Sequence, residues 1–125
     1  MVDQLRGKSA IVGVGHAGFG EAPGFSAYDI MAQSALAALE DAGLKLGDVD
    51  GLFCTMMEDA MPVLMAAEYL GIQPRYVDGT MTGGSSFVNY LTSATLALQA
   101  GLCDVALICY GSNQRTASGR LVTAS

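Results

Sequence analysis

The turn Thr82-Gly83-Gly84-Ser85-Ser86 holds the residues of this sequence whose types and spacing could do chemistry. It directly precedes a pattern typical of a helix. Main-chain N–H groups at a helix start, together with the positive end of the helix dipole, bind phosphate, carboxylate or a developing oxyanion. Gly83, Gly84, Ser85 and Ser86 are therefore candidate ligand-binding residues. Plain N-capping by Ser85 or Ser86 is the alternative, and the residues alone leave both open.

No residue of the chain is recognisable as a covalent nucleophile from its local motif. Ser85 does not lie in a nucleophile elbow, because G-x-S-x-G requires glycine where Phe87 stands. Cys54, Cys103 and Cys109 lie in or beside apolar runs, which predicts buried packing cysteines. Their odd number and lack of a disulfide framework predict reduced thiols and a cytoplasmic protein.

Gly13-Val14-Gly15-His16-Ala17-Gly18 matches the G-x-G-x-x-G motif of dinucleotide-binding folds. The context does not fit, because that motif needs its third glycine inside the opening helix. Here Pro23 and Gly24 intervene before a helix can start at Ser26. The glycines are therefore predicted to allow a tight turn after a strand, and NAD-type nucleotide binding is the less favoured function.

His16 is the single histidine of the chain. It could act as a general base at the carboxyl end of a strand, but no nucleophile is paired with it in sequence. A loop histidine with ordinary hydrogen bonds is the favoured interpretation. One histidine and three scattered cysteines give no ligand spacing, so we predict no metal site.

The segment from Gly79 to Cys103 contains no charged residue. A helix without a charged face is predicted to be covered by protein on every side. Its apolar face is formed by Phe87, Leu91, Ala94 and Leu98, and its opposite face by Asn89, Ser93, Leu96 and Ala100. Polar residues interrupt the segment repeatedly, which disfavours a membrane span.

Composition narrows the possible partners. The chain has 125 residues, the size of one domain, of which 51% are hydrophobic and 14% charged. So little charge predicts that much of the surface faces another domain or subunit. A net charge of −6 with only six basic residues argues against nucleic acid and against an anionic membrane surface.

Apolar runs alternate with helical patterns along the chain. The predicted strands are Ser9–Val14, Gly51–Thr55, Arg75–Val77 and Asp104–Tyr110. Helices are predicted after Ser26, from Pro62 and over the charge-free segment, and Gly43 and Gly71 end the first two. This alternation predicts an α/β fold with a mainly parallel sheet in βαβαβαβ order. The polar residues 111–125 are predicted to form a loop.

Several linked segments carry a family resemblance. They are Gly13-Val14-Gly15 through Phe19-Gly20, Ser26-Ala27-Tyr28-Asp29, Ala42-Gly43-Leu44, Asp48-Val49-Asp50-Gly51-Leu52, and the helix between Gly83-Gly84-Ser85-Ser86 and Ala100-Gly101, followed by Asp104-Val105-Ala106-Leu107. Together they resemble the start of thiolase-superfamily proteins of the sterol-carrier-protein-x or lipid-transfer-protein branch. The resemblance covers nearly the whole chain.

This resemblance implies an αβαβα sandwich of two similar halves, in which the nucleophile helix lies between two sheets. Residues 1–125 would then form an N-terminal half-domain, either a fragment of a longer protein or a chain that needs a partner. Aligned on the turn, Met81 stands where catalytic thiolases have cysteine. A thioether has no ionisable proton and cannot form an acyl thioester, so the resemblance assigns no catalytic residue to this chain.

Some proteins of the lipid-transfer-like branch resemble this chain in lacking the nucleophilic cysteine. They are associated with retro-aldol cleavage of acyl-CoA side chains, including steroid-derived ones. The resemblance therefore implies an aldolase or a degenerate acyltransferase that takes a CoA thioester as substrate and holds no cofactor. It also implies a homodimer paired through the Arg75–Val77 strand, a small DUF35-type OB-fold partner, and a thioester pocket shaped by Gly83, Gly84, Ser85 and Ser86. The alternative is a non-catalytic scaffold that binds acyl-CoA or lipid.

Overall fold

Helix α1 begins at a capping box and ends at a left-handed glycine. The computed structural model, which describes residues 5–18, 23–57 and 59–113, places α1 at Ala27–Ala42. Ser26 Oγ accepts from the Asp29 N–H at 3.0 Å, and the Asp29 carboxylate accepts from the Ser26 N–H at 2.9 Å. Gly43 follows with φ 71°, a conformation that suits glycine. Both predicted ends of this helix are confirmed.

Three parallel strands and two further helices complete the described part of the chain. The elements after α1 are a 3₁₀ turn (Leu46–Asp48), β1 (Gly51–Cys54), α2 (Pro62–Leu70), β2 (Tyr76–Asp78), α3 (Ser86–Gln99) and β3 (Ala106–Cys109). The sheet order is β2-β1-β3, and both pairings are parallel. This arrangement confirms the α/β class, the parallel sheet and the strands predicted at 51–55, 75–77 and 104–110, with the second shifted by one residue to Tyr76–Asp78.

The two faces of the sheet are covered by different helices. Leu52 and Cys54 of β1 pack with Met31 of α1 and Ala66 of α2 in the larger apolar cluster. Phe53 points the other way and packs with Tyr90 of α3. The period-2 alternation of β1 therefore separates α1 and α2 on one face from α3 on the other, which gives three layers.

The predicted first strand is wrong, because Ser9–Val14 does not join the sheet. The sheet consists of β2, β1 and β3, and Val12 is 63% exposed. The segment lies along α1 instead, where the Val14 N–H donates to Asp41 Oδ2 at 2.9 Å. Gly15 allows this approach, since a Cβ there would lie 2.6 Å from the Ser34 carbonyl oxygen and 2.7 Å from the Ala37 carbonyl carbon. Gly13 and Gly15 of the G-x-G-x-x-G motif thus allow close packing on a helix, and within residues 5–12, which the structure describes, no strand precedes them as a dinucleotide site requires.

Helix α3 packs with most, but not all, of the predicted face: Ala94 is buried, and Phe87 and Leu98 pack against the cluster around Tyr90. Its buried residues are Ser86, Tyr90, Ala94 and Ala97. Leu91, predicted to be buried, is 41% exposed, and Val88 is 68% exposed. The reason is that the Tyr90 ring fits against Phe53 at 5.9 Å between ring centroids, which rotates Leu91 away from the sheet. Within the described residues α3 is covered on one side, not on every side.

Two other predictions concern a membrane span and the loop predicted for residues 111–125. None of the helices among the described residues is long and apolar enough to cross a membrane. Residues 111–113 are neither helix nor strand, and residues 114–125 of the predicted terminal loop lie outside the described residues.

Asp50 ties the amino ends of the three strands together. Its carboxylate accepts from the Asp104 N–H at 2.9 Å and the Val105 N–H at 2.8 Å, just before β3. Arg75, just before β2, donates from its guanidinium to the same carboxylate at 3.4 Å and from its main-chain N–H to the Asp50 carbonyl oxygen at 2.7 Å. Burial alone would raise the pKa of Asp50, but these donors outweigh it, and the pKa lies below its usual range.

The close approach of Gly15 to α1 predicts a stability defect. Gly15→Ala should lower the free energy of unfolding by about 1–3 kcal/mol, because its Cβ would overlap the helix backbone. Chemical unfolding of the purified protein measures this. Gly47→Ala is the matched control, since a Cβ there meets nothing within 4 Å, and it should change stability by less than about 1 kcal/mol. Equal effects of the two substitutions would contradict the packing described here.

The lowered pKa of Asp50 predicts a pH-dependent loss of stability. At pH 7, Asp50→Asn should lower the free energy of unfolding by about 1–3 kcal/mol, because charge-assisted hydrogen bonds are weakened. A carboxyl whose folded-state pKa is lowered stabilises only while ionised, so the difference should be full above about pH 4 and shrink as pH falls further. Asp104→Asn, whose side chain is 86% exposed, is the control and should show little effect. A difference that does not change with pH would refute the role of the Asp50 charge.

Candidate active site

A cleft opens at the carboxyl ends of the three strands. Its volume is about 500 Å³. It is lined by Thr55, Met57, Met81, Gly83, Gly84, Phe87 and Tyr110. Thr55 follows β1, Met81 lies on the connection from β2 to α3, and Tyr110 follows β3. Ligands of parallel α/β sheets bind at this end, because the loops that leave the strands converge there.

The turn before α3 is held by serine side chains that bond inside it. Ser86 Oγ accepts from the Thr82 N–H and donates to the Gly83 carbonyl oxygen, both at 2.7 Å. Ser85 Oγ donates to the Thr82 carbonyl oxygen at 2.8 Å and makes no side-chain cap. The capping alternative is therefore wrong for Ser85. Gly83, at φ 72°, allows the tight turn.

The predicted ligand-binding residues divide into two pairs. Gly83 and Gly84 line the cleft with main-chain atoms at the start of α3. Ser85 and Ser86 do not line it, and Ser86 is buried at 1% exposure. The serines therefore shape the turn, whereas the glycines expose its backbone to the cleft.

Met81 places a thioether at the mouth of the cleft. Its side chain is 53% exposed, and its Sδ accepts from the Thr55 hydroxyl at 3.5 Å. Ser86 Oγ lies 4.0 Å from the same sulfur. A thioether has no proton to lose, so this sulfur cannot attack an acyl group as a thiolate does.

Thr55 is a site residue that sequence reasoning missed. We predicted it only as the end of a strand, but it is buried at 3% exposure, lines the cleft, and donates its hydroxyl to Met81, which also lines the cleft. Its position carried a usable signal, because a polar side chain at the carboxyl end of a buried parallel strand lies where such folds bind ligands.

Aromatic rings form the apolar wall of the cleft and anchor the loop beside it. The Phe87 and Tyr110 rings lie 4.9 Å apart, centroid to centroid. Behind them Tyr90 donates its hydroxyl to the Thr80 carbonyl oxygen at 2.6 Å. Burial, with smaller contributions from Asp78 and Cys54, raises the pKa of Tyr90 to about 12, so this hydroxyl stays protonated at neutral pH.

The other candidate residues lie outside this cleft. The cysteines Cys54, Cys103 and Cys109 are free and buried, as predicted. Burial raises the pKa of Cys103, and a hydrogen bond with Cys54 followed by burial raises that of Cys109, so both thiols are poor nucleophiles. His16 is exposed and is not among the residues that line the cleft. The residues that the structure describes contain no group of three or more His, Cys, Asp or Glu able to hold a metal ion.

Two curated proteins are similar to this chain in sequence. No protein-family model matches the chain. A steroid side-chain-cleaving aldolase of Thermomonospora curvata is 32% identical over 114 residues. A 17-hydroxy-3-oxo-4-pregnene-20-carboxyl-CoA lyase of Mycobacterium tuberculosis is 33% identical over 113 residues. Each alignment covers 90% of this chain and 29% of the relative, so the chain spans less than a third of their length.

Solved structures share the arrangement of strands and helices. An Ltp2-ChsH2(DUF35) aldolase matches with a TM-score of 0.79 and 30% identity, over 90% of this chain and 29% of that one. A monomeric SCP2-thiolase like protein from Mycobacterium smegmatis matches with a TM-score of 0.63 and 27% identity, over 78% and 22%. The fold is thiolase-like. Xanthomonas campestris OleA, with a TM-score of 0.66 and 21% identity over 79% and 31%, supports this thiolase-like fold alone.

The bond from Tyr90 to Thr80 predicts a local effect at the cleft. Tyr90→Phe should lower the free energy of unfolding by about 0.5–1.5 kcal/mol, because a buried hydrogen bond is lost while the ring stays in place. Hydrogen exchange should quicken in residues 79–84. Tyr76→Phe is the control, because the Tyr76 ring also packs on Phe53. Tyr76 is the first residue of β2 and therefore lies at the amino end of the sheet, away from the cleft. Unchanged exchange in Tyr90→Phe would show that Tyr90 does not anchor the loop.

Proposed function

We propose that residues 1–125 are the N-terminal half-domain of a thiolase-like enzyme that cleaves acyl-CoA thioesters by a retro-aldol reaction, with steroid side chains as the substrate class. The observation that carries this proposal is the cleft at the carboxyl ends of the strands. Its described lining residues offer the Thr55 hydroxyl and the main chain at the start of α3, but no thiol. Such a site suits carbon–carbon cleavage without an acyl-enzyme. The similarity of 90% of the chain to an aldolase and a carboxyl-CoA lyase supports the same class.

The proposed reaction follows from the substrate named for the mycobacterial lyase. Its hydroxyl on carbon 17 is β to the thioester carbonyl. A base takes the hydroxyl proton, the carbon–oxygen bond becomes a ketone, and the bond between carbons 17 and 20 breaks. The bonding pair passes to the thioester as an enolate, which then takes a proton on carbon to give propionyl-CoA.

The residues of this chain would bind and orient the thioester. Main-chain groups of Gly83 and Gly84 at the start of α3 would face the oxygen on which negative charge develops. Phe87 and Tyr110 would supply an apolar wall for the acyl group. No carboxylate or histidine is among the described residues that line the cleft, so we propose that the acid and base come from residues outside the described part of this chain, from the rest of a longer chain or from a partner.

The proposed partners follow from the same comparison and from the exposed face of α3. Val88, Leu91 and Leu96 are large apolar residues exposed on this helix. We propose that further protein layers cover them, in a sandwich formed with the rest of a longer chain. A second copy pairing at β2 completes the proposed assembly together with a small DUF35-type protein. The similarity to the Ltp2-ChsH2(DUF35) aldolase, at a TM-score of 0.79, supports the DUF35-type partner.

The second candidate is a thiolase-like protein that binds acyl-CoA or lipid without converting it. The absence of a carboxylate or histidine at the cleft among the described residues favours this candidate. It predicts binding of an acyl-CoA with no product, whereas the proposed aldolase predicts both.

A cleavage assay separates the two functions. The complete gene product, with a co-expressed DUF35 partner, is incubated with 17-hydroxy-3-oxo-4-pregnene-20-carboxyl-CoA and analysed by mass spectrometry. The expected result is the 17-ketosteroid and propionyl-CoA in equal amounts. The analogue without the 17-hydroxyl is the control and should remain intact, because it has no proton whose loss forms the ketone. Binding of the substrate without any cleavage would rule out the aldolase and leave the binding protein.

The same protein tests the non-covalent route through Met81. Wild type incubated with acyl-CoA should show no acyl adduct by intact-protein mass spectrometry, whereas Met81→Cys should acquire one. Met57→Cys is the matched control. Met57 also lines the cleft, but unlike Met81 it does not directly precede the Thr82–Ser86 turn at the start of α3. An adduct on wild type would show that a nucleophile acts and would overturn the non-covalent route.

A further inference from the structure

We infer that the Thr55 hydroxyl is the hydrogen-bond donor to the acyl oxygen of a thioester in the cleft, and that Met81 Sδ is its resting acceptor. This inference rests on the proposed function, since it takes an acyl-CoA to be the ligand. It adds a residue to the site that neither the turn motif nor the nucleophile position indicates.

The burial of Thr55 shows why its resting bond is exchangeable. Thr55 and Ser86 are the two buried polar side chains among the described residues. Ser86 is paired twice with backbone groups at 2.7 Å. Thr55 instead donates its hydroxyl to the Met81 thioether at 3.5 Å. A thioether is a weak acceptor, so a carbonyl oxygen that entered the cleft would be preferred.

The acceptor can also move away. Met81 is half exposed at the mouth of the cleft, and its unbranched side chain has three rotatable bonds. When it rotates outward, Thr55 faces the same space as Gly83 and Gly84. The hydroxyl and the start of α3 would then flank one acyl oxygen from two sides, with the Phe87 and Tyr110 rings beside the acyl chain.

The chemistry predicts which kinetic constant depends on Thr55. The acyl oxygen is neutral in the bound thioester and carries negative charge in the enolate, and hydrogen bonds to charged acceptors are stronger. Removing the hydroxyl should therefore lower kcat by about 10- to 100-fold and change KM by less than about 5-fold.

Thr55→Val tests this, because it removes the hydroxyl and keeps the shape of the side chain. Thr55→Ser retains a donor and should restore most of kcat. Thr95→Val is the matched control on α3, since Thr95 is not among the residues that line the cleft. Thr55→Ala provides a second variant without the hydroxyl, and thermal unfolding confirms that each protein is folded. Wild-type kcat in both Thr55→Val and Thr55→Ala would overturn the inference while leaving the aldolase intact.

A probe that is not converted keeps this test independent of turnover. Propionyl-CoA carrying carbon-13 in its carbonyl is bound to each variant, and the labelled carbonyl stretch is read by isotope-edited infrared spectroscopy. Wild type, Thr55→Ser and Thr95→Val should show a lower stretching frequency than Thr55→Val. A shift that depends on Thr55 without steroid cleavage supports the inference and refutes the aldolase. Failure of the probe to bind wild type, or a frequency independent of Thr55, refutes the inference.

Discussion

The carboxylate of Asp50 is the constraint on which the rest of this structure depends. It lies just before β1 and receives hydrogen bonds from the start of β3 and from Arg75 before β2. Three parallel strands cannot be joined by hairpins, so their register has to be set by such contacts and by the helices that cross between them. Asp50 accepts hydrogen bonds at the amino ends of the strands and so fixes where all three strands start. Given the length of the strands, it also fixes where they end.

The carboxyl ends of the strands are consequently available for a ligand. Residues directly after β1 and β3, and the connection that follows β2, converge there and enclose the cleft. The contact between Phe53 and Tyr90 places α3 across the sheet, and the Tyr90 hydroxyl holds the loop at Thr80. The start of α3 is therefore positioned by aromatic packing and by one buried hydrogen bond, which is a rigid way to present main-chain donors.

The sequence was most informative where a local signal decides the structure. Ser26 with Asp29, and Gly43 after the last apolar residue, locate α1 because caps act within one turn of helix. Ser9–Val14 has the composition of a buried strand, yet which strands flank β1 depends on long-range pairing that composition does not encode. The burial of Leu91 on α3 was wrongly predicted for a similar reason, since the fit of Tyr90 on Phe53 turns Leu91 away from the sheet while Ala94 stays buried. Thr55 was missed because its burial and its partner emerge only in three dimensions.

The sulfur at the mouth of the cleft gives the strongest argument on chemistry. In an enzyme that forms an acyl-enzyme, the attacking group must lose a proton, and the Met81 thioether has none to lose. The hydroxyl and backbone groups around it remain suited to another task, because a retro-aldol reaction places its charge on an oxygen and asks the site for hydrogen-bond donors. On our proposal that Met81 stands where a thiolase has its cysteine, the site would keep the groups that stabilise an enolate and lose the group that transfers an acyl chain. The same substitution also suits a protein that only binds thioesters, so what separates the two functions is the source of the base.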